Sequence, residues 1–141
     1  MITEDYCSFE VAKFLKEKGF DEKCRAFYKC LPLNPILYKC DTTQMFDYCT
    51  NLSLSKYNYD GEEMNIAAPT HQMTLKWLRE KYNILADIGY DDLDWFWNII
   101  SISEKVPVED RPKFITQGTA CHKTYEEAVE AALKYVLTNL I

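Results

Sequence analysis

The chain has 141 residues, of which 48% are hydrophobic, 14% aromatic and 27% charged, and this composition is that of a folded domain rather than a disordered chain. Four glycines are too few for a collagen-like sequence, and they argue against a glycine-rich phosphate-binding loop. The formal net charge is -6, and no run of lysine and arginine offers the basic surface that a nucleic-acid backbone requires. We therefore expect one folded, soluble domain over residues 1–141 that does not bind nucleic acid.

The residues Met1 to Asp5 lack the basic and apolar regions of a secretory signal, and no window of the sequence is apolar enough to span a membrane. We therefore expect a cytoplasmic protein without membrane association. Six cysteines are present, but none are arranged as C-x-x-C, and their spacing fits no structural zinc pattern. The cysteines are expected to be reduced, and the sequence predicts neither a metal nor another cofactor.

The first elements are predicted from capping residues and prolines. Ser8 is a good N-cap for a helix with apolar residues at helical spacing, and Gly19 is suited to end it. Two short strands, Cys24 to Tyr28 and Ile36 to Cys40, are expected to form a hairpin around a turn that contains two prolines.

The stretch from Asp41 to Asn65 is polar and weakly patterned. Thr42 is a candidate N-cap for a short helix that would include Met45, Cys49 and Leu52. Asp60 and Gly61 predict a turn.

Pro69 and Thr70 open a second long helix that is expected to end at Asn83. Two apolar runs follow, Ile84 to Tyr90 and Leu93 to Ser103, and the acidic pair between them indicates a hairpin turn. A third strand, Phe114 to Cys121, follows a loop punctuated by Pro107 and Pro112.

The last helix is predicted from a capping box, in which the Glu127 carboxylate is expected to accept the backbone N–H of Thr124. Apolar residues continue at helical spacing to Leu140. The order of elements favours an α+β fold, an antiparallel sheet of hairpins with helices packed on it and an amphipathic helix at the C-terminus.

Two stretches carry a resemblance: APTHQMTLKWLREKYNI, from Ala68 to Ile84, and TYEEAVEAALKYVL, from Thr124 to Leu137. The first stretch predicts a helix that begins with Pro-Thr-x-x-Met and continues with Trp-Leu-Arg-Glu. A sheet and a closing Tyr-Glu-Glu-Ala helix follow it. This arrangement resembles small uncharacterised proteins of gut-bacterial phages and mobile elements. The resemblance implies a genetic setting, and it implies no catalytic residue and no mechanism.

Candidate binding residues lie at the start of the second long helix and among the aromatic residues. His71, between Thr70 and Gln72, stands where free backbone N–H groups of a helix receive an anion such as a nucleotide phosphate. Ordinary capping by Thr70 is the alternative, and the residues favour it. The same helix carries Trp77 and, on its more exposed side, Arg79, whereas Trp95 and Trp97 share one face of a predicted strand.

Two other groups are weighed against simpler explanations. The acidic residues from Asp87 to Asp94 have a composition that binds divalent cations, but solvated aspartates are also typical of a hairpin turn, which we favour. Cys121 and His122 are adjacent in a predicted strand, so their side chains point to opposite faces and cannot form a catalytic pair.

The sequence therefore favours a non-enzymatic protein that binds a partner, and the resemblance extends this to a phage or mobile-element protein that modulates a host protein such as a defence component. The partner is a host protein or a second copy of the chain. The alternative is an oligomeric protein that binds and sequesters a small ligand or nucleotide at Thr70, His71 and the stacked aromatic rings.

We predict that the chain forms a homo-oligomer, most simply a dimer. The strand Leu93 to Ser103 carries Trp95 and Trp97 on one face and Phe96 and Ile100 on the other, and each large side chain buried from water contributes about 1.5 to 3 kcal/mol. Burial of the second face between two copies is the commonest solution, although burial under the stretch Asp41 to Asn65 would serve equally well. Light scattering at micromolar concentration should give about twice the chain mass of 16.6 kDa, and the monomer mass would contradict the prediction.

Overall fold

A computed structural model describes residues 1–30, 34–40, 47–56, 65–102, 116–118 and 121–141. These residues form four helices and two three-stranded antiparallel sheets, which confirms the predicted α+β class with a C-terminal helix. The chain divides into two compact units, residues 1–70 and residues 71–141, and each contains one sheet. The expectation of a single domain over residues 1–141 stays a prediction.

The first unit begins with helix α1 (Phe9–Glu17), whose ends follow the sequence signals. The hydroxyl of Ser8 accepts the backbone N–H of Val11 at 3.2 Å, and Gly19 adopts a φ of 83°, a left-handed conformation that costs glycine little. The apolar side of α1 is buried in the core of the unit, and its fully buried residues are Val11, Ala12 and Leu15.

The sheet of the first unit consists of β1 (Ala26–Cys30), β2 (Pro35–Lys39) and β3 (Asn65–Ala67) in the order β2-β1-β3. The predicted hairpin is confirmed, but β1 lies about two residues later than expected. Pro35 begins β2 because an edge strand tolerates the missing N–H of proline at its first residue. The sequence pattern did not predict β3, which pairs antiparallel with β1.

The short helix α2 (Asn51–Ser55) begins later than predicted, with Thr50 as its N-cap. The prediction that Cys49 lies in this helix is wrong, because Cys49 forms an isolated antiparallel bridge with Cys24 instead. Leu52 is in the helix as expected. The predicted cap Thr42, the position of Met45 and the turn at Asp60–Gly61 lie outside the described residues.

A buried asparagine joins three parts of the first unit. The side-chain amide of Asn51 donates to the carbonyl of Phe20 at 2.7 Å, and its oxygen accepts the N–H of Ala67 at 2.9 Å. Asn51 is 7% exposed, so both hydrogen bonds satisfy polar groups that have little access to water. The residue therefore ties α2 to β3 and to the segment that follows α1.

The second unit contains α3 (His71–Tyr82), β4 (Ile84–Tyr90), β5 (Trp95–Ser101), β6 (Thr116–Gln117) and α4 (Tyr125–Asn139), with strand order β4-β5-β6. Helix α3 ends as predicted at Asn83, which has a φ of 55°. The predicted strand from Leu93 begins at Trp95 because the four preceding residues form the turn. Of the third predicted strand, β6 is confirmed, whereas Phe114, Pro107 and Pro112 lie outside the described residues.

The register of β4 and β5 determines which side chains of the hairpin face α4. Trp97 lies opposite Ile88 and Trp95 opposite Tyr90, so these residues share the face on which α4 packs. On the other face the ring of Phe96 covers Gly89, where any Cβ would overlap the ring. Phe96 and Ile100 are half-buried, and dimerisation through this face stays a prediction.

The start of α4 corrects one detail of the capping prediction. Thr124 is the N-cap, and its hydroxyl accepts the N–H of Glu127 at 3.1 Å, as expected. The Glu127 carboxylate, however, accepts the N–H of Lys123 at 3.0 Å rather than that of Thr124. The side chain reaches one residue further back, where it still satisfies a backbone donor and still lies at the positive end of the helix dipole.

We expect Glu127→Ala to lower the free energy of unfolding by about 0.5 to 1 kcal/mol, because the Lys123 N–H loses its acceptor and the helix start loses a negative charge. Glu127→Gln retains an acceptor oxygen and should lose less than half as much. Thermal and urea unfolding of the two variants measure the difference. Equal losses in both variants would show that the hydrogen bond contributes nothing.

Candidate functional site

Of the predicted site residues, all but one lie in the second unit. Thr70 is the last residue of the first unit, where it forms an isolated bridge with Tyr6. The others lie on two elements of the second unit: on α3, His71, Gln72, Trp77 and Arg79; on β5, Trp95 and Trp97. Their roles in binding stay predictions, and their surroundings differ widely.

His71 lies buried at the start of α3 and is 5% exposed. Its Nε2 lies 2.8 Å from Oε1 of Glu130, a residue of α4, so this contact connects α3 to α4. With a carboxylate already at this position, a phosphate would bring a second negative charge into a buried place. The arrangement therefore favours a structural role for His71 over anion binding.

The neighbours of His71 on α3 differ in exposure. Gln72 is exposed and Arg79 half-exposed. The ring of Trp77 packs edge-on against Tyr82 at 5.2 Å between centroids, and the ammonium of Lys81 lies 5.0 Å from the Trp77 ring. Trp77 is 8% exposed, so most of its surface is already used within the protein.

Trp97 is also part of the core rather than of a surface. Its ring lies 5.1 Å from that of Tyr135 on α4, and its indole fills the space above Gly118, where a Cβ would overlap it. The Gly118 N–H donates to the Trp97 carbonyl at 3.0 Å, which fixes the glycine beside β5. A side chain at residue 118 would displace the indole, so glycine is needed for close approach.

Trp95 lies at the edge of the same core, where it is half-buried. Its ring packs 5.1 Å from Tyr90 on β4 and 5.5 Å from Tyr125 on α4. The backbone of Trp95 exchanges hydrogen bonds of 2.9 and 3.3 Å with His122, which holds the start of α4 beside the hairpin. Three aromatic rings from three elements therefore form one group at the turn end of the sheet.

The turn between β4 and β5 is held by the carboxylate of Asp91. One oxygen of Asp91 accepts the N–H of Asp94 at 2.9 Å and that of Leu93 at 3.1 Å, and the Asp91 N–H donates to the Asp94 carbonyl at 3.1 Å. These bonds fix the backbone on both sides of Leu93. The side chain of Leu93 is 83% exposed, so the turn presents an apolar group to water in a defined position.

We use the name hairpin-end surface for a group of six residues in the second unit. It consists of Tyr90, Leu93, Trp95 and Tyr125 with the flanking acids Asp91 and Asp92. Within the described part of the second unit, the large hydrophobic side chains classed as exposed are Tyr90 and Leu93, and both belong to this surface. Exposed apolar groups that cluster on a folded protein mark contact surfaces more often than scattered ones do.

Negative charge surrounds the hairpin-end surface. Asp91 and Asp92 are exposed in the turn, and Glu126 and Glu127 follow Tyr125 in the first turn of α4. The nearby lysine, Lys123, pairs with Asp94 at 3.2 Å. Among the residues that the structure describes here, carboxylates therefore outnumber lysines around the aromatic group, and they attract cationic rather than anionic groups.

The sequence pattern identified Trp95 but missed the residues that complete the surface. The sequence pattern predicts Leu93 as the first residue of a strand, and Tyr125 lies within the capping box from Thr124 to Glu127. A leucine inside an acidic turn is an unusual residue in an exposed position, and this signal was present. The contact between Tyr125 and Trp95 joins residues that are far apart in the sequence, and no local pattern predicts it.

Comparisons with known proteins give no relative for this chain: no protein family, no curated protein and no solved structure matches it. None of the helices among the described residues is long and apolar enough to cross a membrane.

The stability of the turn between β4 and β5 should depend on pH through the carboxylate of Asp91. Its hydrogen bonds with the Asp94 and Leu93 amides hold the pKa of Asp91 below its usual value. Because the pKa is lower in the folded turn than in the unfolded chain, the stabilisation is complete above the ordinary aspartate pKa of about 3.9 and is lost as the pH falls through the lowered pKa.

In an NMR titration, the amide signals of Leu93 and Asp94 should therefore shift together, with a midpoint below the ordinary aspartate value. Asp91→Asn keeps an acceptor oxygen and should retain the turn without the titration, whereas Asp91→Ala should lose both. A midpoint at or above the ordinary value would show that the carboxylate does not hold the turn.

Proposed function

We propose that this chain is a non-enzymatic binding protein whose hairpin-end surface contacts a partner protein. The observation that carries the proposal is the exposure of Leu93 and Tyr90 beside the half-buried Trp95, in a turn whose backbone is fixed by Asp91. The partner is a protein with an apolar recess for Leu93, rimmed by lysine and arginine side chains.

The fixed backbone supports this role because a turn that is already ordered before binding loses little backbone conformational entropy when the complex forms. Tryptophan and tyrosine are the residues that most often dominate the energy of protein interfaces. In the hairpin-end surface, Trp95 is half-buried, and Tyr90 and Tyr125 pack against its ring.

The charge of the surface supports a basic partner and disfavours the alternative, a nucleotide. A phosphate at the hairpin-end surface would meet Asp91, Asp92 and the glutamates of α4. At the start of α3, the Glu130 carboxylate lies beside His71. Trp77 and Trp97, which were candidates for stacking on a base, are 8% and 7% exposed and offer little free ring surface.

The finer parts of the proposal come from the sequence. We propose a phage or mobile-element protein that acts in the cytoplasm on a host protein, such as a defence component. This part of the proposal agrees with the resemblance of Ala68–Ile84 and Thr124–Leu137.

We also propose a dimer, formed through the half-buried Phe96 face of the hairpin. This face lies on the opposite side of β5 from Trp95, so dimerisation would leave the hairpin-end surface available.

We test the proposed surface with two matched variants, Leu93→Asp and Leu52→Asp. Leu93 is 83% exposed and Leu52 on α2 is 66% exposed, so both changes add one negative charge at an exposed leucine. Proteins retained from a host lysate by the immobilised wild-type chain are purified, and their binding to each variant is measured by calorimetry. Leu93→Asp should weaken the specific complex at least tenfold, about 1.4 kcal/mol, and Leu52→Asp should leave it unchanged.

Affinity should also fall as salt is added, because the proposed partner is basic where it meets the carboxylates. Equal effects of the two leucine variants, or no effect of Leu93→Asp, would contradict the proposed surface. Melting curves of both variants establish that they fold before binding is measured.

A further inference from the structure

The sheet of the first unit has two faces with different surroundings. On one face, Ala26 and Ile66 are at most 1% exposed, and the ring of Tyr28 packs edge-on against Phe9 of α1 with 5.6 Å between the ring centroids. Helix α1 therefore packs on this face. Because side chains alternate along a strand, the residues on either side of Ala26 and Tyr28 belong to the opposite face.

A stacked aromatic pair lies on the opposite face. Phe27 of β1 lies directly opposite Tyr38 of β2, and their rings stack with 5.8 Å between the centroids and 19° between the planes. Two positions further along, Lys29 lies opposite Ile36 on the same face. Tyr38 and Ile36 are 39% and 43% exposed, so this face presents aromatic and apolar surface to water.

Basic residues flank the aromatic pair along β1. Lys29 is exposed on one side of Phe27, and Arg25 is exposed on the other side. Arg25 directly precedes β1, and its carbonyl accepts the Cys40 N–H at 2.7 Å, so the ladder with β2 extends to it and alternation places it on the face of Phe27. We use the name basic sheet face for this surface, which consists of Arg25, Phe27, Lys29, Ile36 and Tyr38.

The charge of the basic sheet face is opposite to that of the chain as a whole. Residues 23–40 contain four of the 16 lysine and arginine residues and none of the 22 aspartate and glutamate residues, whereas the net charge of the chain is -6. The expectation that the chain does not bind nucleic acid depends on the lack of a run of basic residues. On a strand, however, cations two positions apart share a face, so a basic face needs no run.

The order of cations and rings on the basic sheet face matches the chemistry of a single-stranded nucleic acid. Arg25 and Lys29 each lie two residues from Phe27, a distance of about 7 Å along the strand. A nucleobase can stack on the aromatic pair while the phosphates on its two sides meet the two cations. In a duplex the bases already stack on each other, so a single strand offers the free base faces.

An acidic peptide is the other anionic partner that the face could attract. Extended peptides are commonly bound by adding a strand to the edge of a sheet. Among the described residues β2 lies at such an edge, but it begins with Pro35, which has no N–H, and ends with the exposed Lys39. Proline and lysine on an edge strand disfavour pairing with another chain. The observations therefore favour a nucleic acid over a peptide.

We propose that the basic sheet face binds single-stranded nucleic acid without sequence preference. Bases stack on Phe27 and Tyr38, and Arg25 and Lys29 hold the adjacent phosphates. Stacking gives no sequence preference because every base has an aromatic face. The site is independent of the hairpin-end surface, which lies in the other unit.

The test measures fluorescence anisotropy of a labelled oligothymidylate of about 12 nucleotides, titrated with the full wild-type chain at low salt. The single strand should bind, and annealing its complementary strand should weaken binding about tenfold because stacking is lost. The logarithm of the association constant should fall with the logarithm of the salt concentration with a slope of about -1.4, since about 0.7 is expected for each of two phosphates.

Two pairs of variants locate the site. Lys29→Glu should weaken binding about tenfold, whereas Lys13→Glu, the same change at an exposed lysine of α1, should leave it nearly unchanged. Tyr38→Ala should also weaken binding about tenfold, and Tyr38→Phe, which keeps the ring, should retain it. Melting curves establish that the variants fold, and the comparison of single strand with duplex uses the wild-type chain alone.

Three results would overturn the proposal. One is an absence of binding to the single strand at low salt, and another is equal binding of single strand and duplex or equal effects of the two lysine variants. The third is tighter binding of a labelled glutamate peptide of the same charge, which would assign the basic sheet face to an acidic protein segment.

Discussion

The arrangement of the second unit depends on the packing of Trp97, a residue of β5, against α4. Its ring lies against Tyr135, and it occupies the space that a side chain at Gly118 would need. Because side chains alternate along a strand, burial of Trp97 also directs Ile99 and Trp95 to the same face. A slip of one residue in the register would expose this face, so the Trp97 contact determines where Trp95 lies.

From this constraint the hairpin-end surface follows. Trp95 is two residues nearer the turn than Trp97, at the edge of the core, where Tyr90 and Tyr125 pack against its ring and the residue is half-buried. Beyond it the carboxylate of Asp91 holds the turn and leaves Leu93 in solvent. The core packing and the local turn chemistry thus place apolar side chains in an acidic surrounding, which is the basis for the proposed partner.

The parts of the fold that the sequence predicted depend on local signals. Ser8 and Thr124 cap their helices, and the acidic turn separates β4 from β5, because each signal acts within a few residues. The parts it did not predict depend on distant contacts. The three residues of β3 pair with β1, and Asn51 binds residues 31 and 16 positions away in the sequence.

The candidate site shows the same division. Trp95 and Trp97 were correctly placed on one face of a strand, since alternation is a local pattern. The position of α4 decides why Trp97 is buried whereas Trp95 remains half-buried, and no local pattern gives that position. The contact between His71 and Glu130 on α4 likewise joins residues that are 59 positions apart in the sequence. The bridge between Cys24 and Cys49 also depends on pairing between separate segments, and the spacing of the cysteines in the sequence did not predict it.

Hydrogen exchange of the chain, with and without the partner protein that it retains, tests the central claim most directly. Binding at the hairpin-end surface should slow exchange of the amides from Tyr90 to Trp95 and at the start of α4, and should leave the amides of α1 and β1 unchanged. Slowed exchange confined to the first unit, with none in the turn at Leu93, would contradict the account.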